Sequence, residues 1–167
     1  MKLVYKIDAT DHRSAQWLHL RPRPIFKILG IFVSLLALCS MVVAWIFIDD
    51  PGLFGVRIIL SVAIIYLALY FIVFLPRKWN KIYLQQKSLQ RSNALNIEEN
   101  GIDYVSENGT GKIAWKDYLC WKENDYIILL YFSEVMFQII PKRAFSSQEE
   151  QNRFVKLLNE KIGSAST

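Results

Sequence analysis

Apolar residues fill the chain from Ile25 to Leu75 with few breaks. No charged side chain occurs between Ile28 and Ile48, and none between Ile58 and Leu75. A hydrocarbon core of about 30 Å is crossed by roughly 20 apolar helical residues. The pattern therefore predicts two transmembrane helices, at 25–48 and 58–75, joined by a short external link at 49–57 in which Pro51-Gly52 makes the turn. Gly30 and Ser34, then Ser40 and Ala44, are small residues four apart. Such spacing lets helix backbones approach closely in lipid, through packing of the first span on the second or, alternatively, through a homo-oligomer. Pro76 is expected to kink or end the second helix, with Trp79 and Tyr83 at the inner membrane interface.

On either side of the spans the period changes. Leu3, Tyr5 and Ile7 alternate with Lys2, Val4 and Lys6, which reads as a strand. Thr10 or Asp11 can cap a following helix, whose apolar side would be Trp17, Leu18 and Leu20, before Pro22 and Pro24 stop it. These elements form an arm at 1–24. After the spans, Trp79, Ile82, Tyr83 and Leu89 fall near one face of a basic juxtamembrane helix at 76–93. From Ala94 short strands are predicted. Leu95 and Ile97 lead to a turn at Glu98-Glu99-Asn100-Gly101, and Ile102 to Ser106 leads to a hairpin turn at Glu107 to Gly111. An alternating run follows from Lys112 to Lys122, with Ile113, Trp115, Leu119 and Trp121 on its buried face. Tyr126 to Phe132 is apolar on both faces, as in a central strand, and Val135 to Ile140 is a further strand. Ser147 to Glu150 has capping-box spacing, and Phe154, Leu157, Leu158 and Ile162 follow at helical intervals until Gly163 ends the helix. The head thus spans 94–163, with a disordered tail at 164–167.

Charge fixes an orientation. The net charge of +5 and pI near 9.2 would fit a nucleic-acid binder if the cations formed a patch on the head. Instead Arg21, Arg23 and Lys27 precede the first span, and Arg77, Lys78, Lys81, Lys87 and Arg91 follow the second, with no acidic residue between Leu75 and Asn96. Basic residues crowding the same end of both spans mark the cytoplasmic side. Both termini are expected there, in a multi-pass inner-membrane protein without a nucleic-acid partner.

Candidate chemistry is sparse. His12 and His19 would share a helix face, but only Asp8 and Asp11 stand near them, and metal sites need three or four converging ligands. Cys39 and Cys120 are expected as unpaired small apolar residues. Gly109-Thr110-Gly111-Lys112 lacks the glycine spacing of a phosphate loop and reads as a turn. Asn108-Gly109-Thr110 fits a glycosylation acceptor but lies on the expected cytoplasmic side. No catalytic, cofactor-binding or metal residue is assigned, and no cofactor is expected. Lys142-Arg143 is the one pair singled out, as solvated charge at a strand end or as a contact for a lipid headgroup or an acidic partner. Trp115, Tyr118, Trp121, Tyr126 and Tyr131 could present a groove, although a small head should use most of them as core.

Antiparallel strands closed by one amphipathic helix follow the plan of a pleckstrin-homology-like (PH-like) domain. Asn100-Gly101-Ile102, Ile113-Ala114-Trp115, Ile127 to Tyr131, Ile139 to Phe145 and Phe154 resemble the bacterial YcxB-like family, with the pattern from Ile97 to Leu158 carrying most of the resemblance. It implies an α+β membrane protein: a two-helix hairpin, a small antiparallel β domain and one closing C-terminal helix. No active-site residue is carried over with it. PH-like character would also imply inositol-lipid binding, but Glu98, Glu99, Asp103 and Glu107 occupy the first turns, with Lys112 as the only cation, which argues against it. Because both termini share a side, the strand Leu3 to Ile7 is expected to pair with the head and cover an open sheet edge. The function expected is a non-enzymatic inner-membrane protein whose head is an interaction or regulatory module for another protein. The alternative is a small membrane-protective, immunity-type factor acting through its spans.

Overall fold

The computed structural model describes residues 1–20, 24–47, 52, 54–106 and 109–165. The chain divides into two compact units. Met1–Leu20 and Trp79–Thr167 form one, and Arg21–Lys78 the other.

The first unit is α+β. Strand β1 (Lys2–Lys6) is followed by helix α1 (Ala9–Leu20). Strands β2 (Ser92–Glu98), β3 (Gly101–Ser106) and β4 (Gly109–Ala114) join β1 in a four-stranded antiparallel sheet of order β1-β2-β3-β4. Strands β5 (Cys120–Glu123), β6 (Ile127–Tyr131) and β7 (Phe137–Pro141) form a second, three-stranded antiparallel sheet. Helix α5 (Gln148–Lys161) closes the unit. Period-two patterning decides the inward face: Leu3 and Tyr5 are buried on β1, and Leu95 and Ile97 on β2, while Lys2, Val4 and Lys6 face out. All five residues of β6 are buried, as a strand apolar on both faces must be. Phe154 and Leu158 bury the inner stripe of α5, and the Phe154 ring lies 5.5 Å from that of Phe145.

The arm is part of the head. Leu3 pairs with Leu95 across β1 and β2, and Met1 exchanges two hydrogen bonds with Ile97, of 2.7 and 3.0 Å. The expected pairing of the arm strand with the head is present, and Met1–Leu20 belongs to the same unit as the head.

Several local expectations are corrected. Helix α1 begins at Ala9, so its cap is Asp8, neither Thr10 nor Asp11. The Asp11 carboxylate accepts from the Asp8 N–H at 2.9 Å, and the Asp8 carboxylate accepts from the Asp11 N–H at 2.8 Å. The buried side of α1 is Asp11, His12, Ala15 and Leu18, whereas Trp17 and Leu20 are exposed. Trp79 and Tyr83 are buried in the head and are not interface anchors. The Tyr83 hydroxyl donates to the Ile7 carbonyl at 3.0 Å, and Trp79 meets the Trp17 ring edge-on at 4.9 Å. The run from Lys112 to Lys122 is no single strand, because a 3-10 turn at Trp115–Asp117 breaks it. That turn resets the phase, burying Tyr118 and exposing Leu119. Of the five aromatics considered for a groove, Trp115, Tyr118, Trp121 and Tyr131 are core and Tyr126 is exposed. The last strand starts at Phe137, since Ser133 to Met136 form a turn in which the Met136 N–H donates to Ser133 Oγ at 3.1 Å. Glu107 and Asn108, with the anticipated hairpin tip and glycosylation acceptor, lie outside the described residues.

At its C-terminal end, α5 closes on Gly163, whose φ of +110° is left-handed and suits glycine. Its N–H bonds the Leu158 carbonyl at 3.2 Å, and its own carbonyl accepts from Trp121 Nε1 at 2.7 Å. Ala165 packs against the core, contrary to the disorder expected for 164–167; Ser166 and Thr167 lie outside the described residues.

The second unit is helical. Helix α2 (Pro24–Phe47) contains the positions of Gly30, Ser34, Ser40 and Ala44. Helix α3 (Phe54–Leu69) continues through a π turn at Tyr70–Phe74 into α4 (Leu75–Gln85). Within this unit Trp45 of α2 reaches α3, with Nε1 3.4 Å from Ser61 Oγ. The Ser40 hydroxyl is satisfied on its own helix by the Ala37 carbonyl at 2.9 Å. Among the described residues one helix, 54–85, is long and apolar enough to cross a membrane. Pro76 does not end it. Proline has no N–H for the carbonyl four residues earlier, and the widened π turn precedes it, with Leu75 N–H bonding Tyr70 O five residues back. The anticipated helix at 76–93 stops at Gln85 and gives way to a 3-10 turn at Lys87–Gln90. The link residues Asp49, Asp50, Pro51 and Leu53, and the arm residues Arg21, Pro22 and Arg23, lie outside the described residues.

Candidate functional site

Lys142 and Arg143 fall on the 3-10 turn that follows β7. This turn faces the start of α1 and the β5–β6 connection, and each cation has a partner from a different element. Lys142 Nζ lies 2.7 Å from Glu123 Oε2, with most of the Lys142 side chain covered. Arg143 forks onto Asp11: Nη2 donates to Oδ2 at 2.6 Å and Nη1 to Oδ1. Nη2 also reaches the Lys6 carbonyl at 3.0 Å and Asp8 Oδ2 at 3.2 Å. The Asp11 side chain is only 4% exposed, and that of Arg143 is 52% exposed. A buried carboxylate is held in place by a guanidinium that still meets water.

The neighbouring turn is built to match. Asn124 Oδ1 accepts from the Tyr126 and Ile127 N–H groups, both at 2.9 Å, which closes an Asx turn. Its Nδ2 donates to Ser14 Oγ on α1 at 3.1 Å. The Tyr126 carbonyl takes the Lys142 N–H at 2.8 Å.

These contacts frame a groove of about 650 Å³ whose walls include Arg13, Trp17, Asp125 and Tyr126 besides the paired cations. The indole of Trp17 and the ring of Tyr126 are both exposed at its rim. Electrostatically the groove is balanced. The Asp11 carboxylate, hydrogen-bonded to the guanidinium, raises the Arg143 pKa further above its ordinary value, so that residue stays charged. An anionic headgroup at the exposed part of Arg143 would compete with Asp11 and Asp8, and one at Lys142 with Glu123.

The remaining candidates are dispersed. His19 is stacked on Tyr131 at 5.9 Å, and its pKa is lowered by burial and by the nearby Lys122. His12 faces the Tyr83 ring and Gln16. No group of three or more His, Cys, Asp or Glu side chains converges as a metal site among the described residues. Lys112 is held by Glu98 at 2.8 Å and Asp103 at 3.3 Å. Sequence reasoning missed the acidic partners Asp8, Asp11 and Glu123. The Asp-x-x-Asp spacing of Asp8 and Asp11 was the available signal, because reciprocal capping at that spacing buries one carboxylate next to the helix start.

Residues 97–158 match the YcxB-like protein family. The YcxB-like segment runs from the inward-facing Ile97 of β2 to Leu158 of α5, so it contains Lys142 and Arg143 but neither aspartate that holds Arg143. Those come from the N-terminal arm, outside the match. No curated protein and no solved structure matches the chain.

Proposed function

We propose that this chain is a non-enzymatic integral inner-membrane protein, anchored by a two-span hairpin with both termini in the cytoplasm. Its head is a PH-like module that binds another protein. The observation that carries the reading is β1. It pairs with β2 although the whole segment Arg21–Lys78 intervenes. A sheet assembled from both flanks of an inserted segment lies on one side of a bilayer, so the insert crosses an even number of times. The helix at 54–85 supplies one crossing by length and composition, and α2, with no charge from Ile28 to Ile48, suits the return. The basic flanks favour the cytoplasm for the head.

The PH-like reading is supported by the succession of a four-stranded sheet, a three-stranded sheet and a closing helix. The groove beside Arg143 is the binding face we assign to the head. Exposed Trp17 and Tyr126 beside Arg13 have the aromatic and arginine composition that dominates protein interfaces. Lys142 and Arg143 serve there as internal clamps more readily than as headgroup ligands, because both are already paired.

Two measurements test this. A periplasm-active reporter fused after Thr167 should stay silent, and one inserted at the link should be active; the reverse pattern removes the topology. In-cell crosslinking from position 125 should capture a protein that W17A and Y126A release, with the head still folded. Exchange of both spans for unrelated apolar helices should leave that capture intact; its loss would favour an immunity-type factor working through its spans.

A further inference from the structure

The three-stranded sheet of β5, β6 and β7 has two unlike ends. At one, the β5–β6 connection and the turn after β7 carry Glu123, Asp125, Lys142 and Arg143. At the other, large apolar side chains stand in solvent. Val135 and Met136, in the turn between β6 and β7, are 78% and 60% exposed. Leu119, whose N–H donates to the Tyr131 carbonyl at 2.7 Å just before that turn, is 60% exposed. Turns are ordinarily polar, and neighbouring exposed aliphatic side chains mark a contact surface for protein or lipid.

Helix α1 runs from the charged end to the apolar one. Asp11 pairs with Arg143 and Ser14 with Asn124, whereas His19 lies against the Tyr131 and Phe137 rings that flank the β6–β7 turn, at 5.9 and 5.2 Å. Helix α4 runs back along α1 in the opposite sense, with Trp79 against Trp17 and Tyr83, one turn later, against His12. Both connections to the segment 21–78 therefore leave the head toward the end that carries Leu119, Val135 and Met136. Leu20, the last residue of α1, is itself exposed, and Pro24 opens α2 only four residues on. That much chain covers at most about 14 Å when fully extended.

Resting on the reading of 25–75 as membrane spans, we infer that the Leu119, Val135 and Met136 end of the sheet docks on the phospholipid surface that those spans enter. Glu134 in the same turn is exposed, and so are Lys116 and Asp117 beside Leu119, of opposite charge. A carboxylate resists leaving water, so the turn reaches the headgroup–acyl boundary and goes no deeper. The contact is apolar and reads no lipid charge. It turns the opposite end of the sheet, with the groove beside Arg143, away from the bilayer and toward soluble partners.

The test uses the full chain, one copy per phosphatidylcholine nanodisc, with Cys39→Ala and Cys120→Ala and a nitrobenzoxadiazole probe on a single new cysteine. Quenching is read with phospholipids that carry a nitroxide either at the headgroup–acyl boundary or at the chain terminus. The boundary nitroxide should quench the probe on Met136→Cys severalfold more than the probe on Asp125→Cys at the charged end. Val135→Asp should remove that excess with the melting temperature of the head unchanged. The probe on Leu35→Cys in α2, read with the chain-terminal nitroxide, reports the spans separately. Quenching at 35 without quenching at 136 would overturn this inference alone, as would equal quenching at 125 and 136 or an excess that survives Val135→Asp. Burial of the 136 probe that appears only with two copies in a disc would assign this end to a second chain and overturn it too. No quenching at 35 would remove the span reading and this inference with it.

Discussion

Arg143 and Asp11, 132 residues apart in sequence, form a two-pronged ion pair that ties the turn after β7 to the first helix. The carboxylate is buried and the guanidinium half-exposed. Breaking a fully buried pair costs about 3–5 kcal/mol, and water around Arg143 lowers this toward about 1–3 kcal/mol. R143A is expected to lower the melting temperature of the head by several degrees, followed by tryptophan fluorescence in detergent. R143K keeps the charge but loses the fork, and should fall between R143A and the parent. Equal melting of all three would show that the clamp contributes nothing.

Mild acid should loosen the head through its two histidines. Burial lowers the His12 pKa below 6.5, and burial with Lys122 lowers that of His19. The unfolded chain then binds protons that the folded chain refuses, so stability falls as pH drops below the ordinary histidine value. The contribution is complete above that value. Melting temperature should fall between pH 7.5 and 5.5, and His19→Gln, which removes one of the two groups without opening the core, should flatten the slope. A slope unchanged by that substitution would assign the effect elsewhere.

What could be read in advance divides along one physical line. The alternation of β1, the doubly apolar β6 and the spaced stripe of α5 are local patterns, and each element formed where its pattern placed it. The misplaced features depend on partners distant in sequence. Trp79 and Tyr83 look like membrane-interface aromatics until β1 and α1 are present to cover them. Tyr118 and Leu119 exchange roles because a 3-10 turn, invisible to a period-two reading, shifts the phase by one residue. Lys142 and Arg143 were legible as a charged pair, but their acidic partners come from β5 and the arm. Only the third dimension joins them.

Gly101 is predicted to be irreplaceable at the β2–β3 turn. Its φ is +157°, and a Cβ there would overlap the Ile113 carbonyl oxygen on β4. That atom is ladder backbone and cannot swing aside. G101A should destabilise the head by about 1–3 kcal/mol, read from the same melting curves. A neutral result would mean that β4 moves freely at Ile113, against its pairing with Ile102.

Removal of residues 1–8 probes the strand pairing on which the proposed topology rests. Leu3 and Tyr5 are core side chains, and the Tyr5 hydroxyl donates to the Ile139 carbonyl of the opposite sheet at 2.9 Å. Truncation takes away a paired strand, exposes the inner face of β2 and leaves β2 as a raw edge. Arg143 also loses the Lys6 carbonyl and an aspartate partner. The truncated chain should lose cooperative melting of the head and aggregate. Y5F isolates one contact and should cost about 1 kcal/mol, without changing the fold. If the truncated chain melts like the parent, β1 contributes nothing to the sheet, and the proposed even number of crossings loses its support. If it fails while Y5F is only mildly weakened, the head is completed by a strand from the far side of the inserted segment, as the β1–β2 register requires.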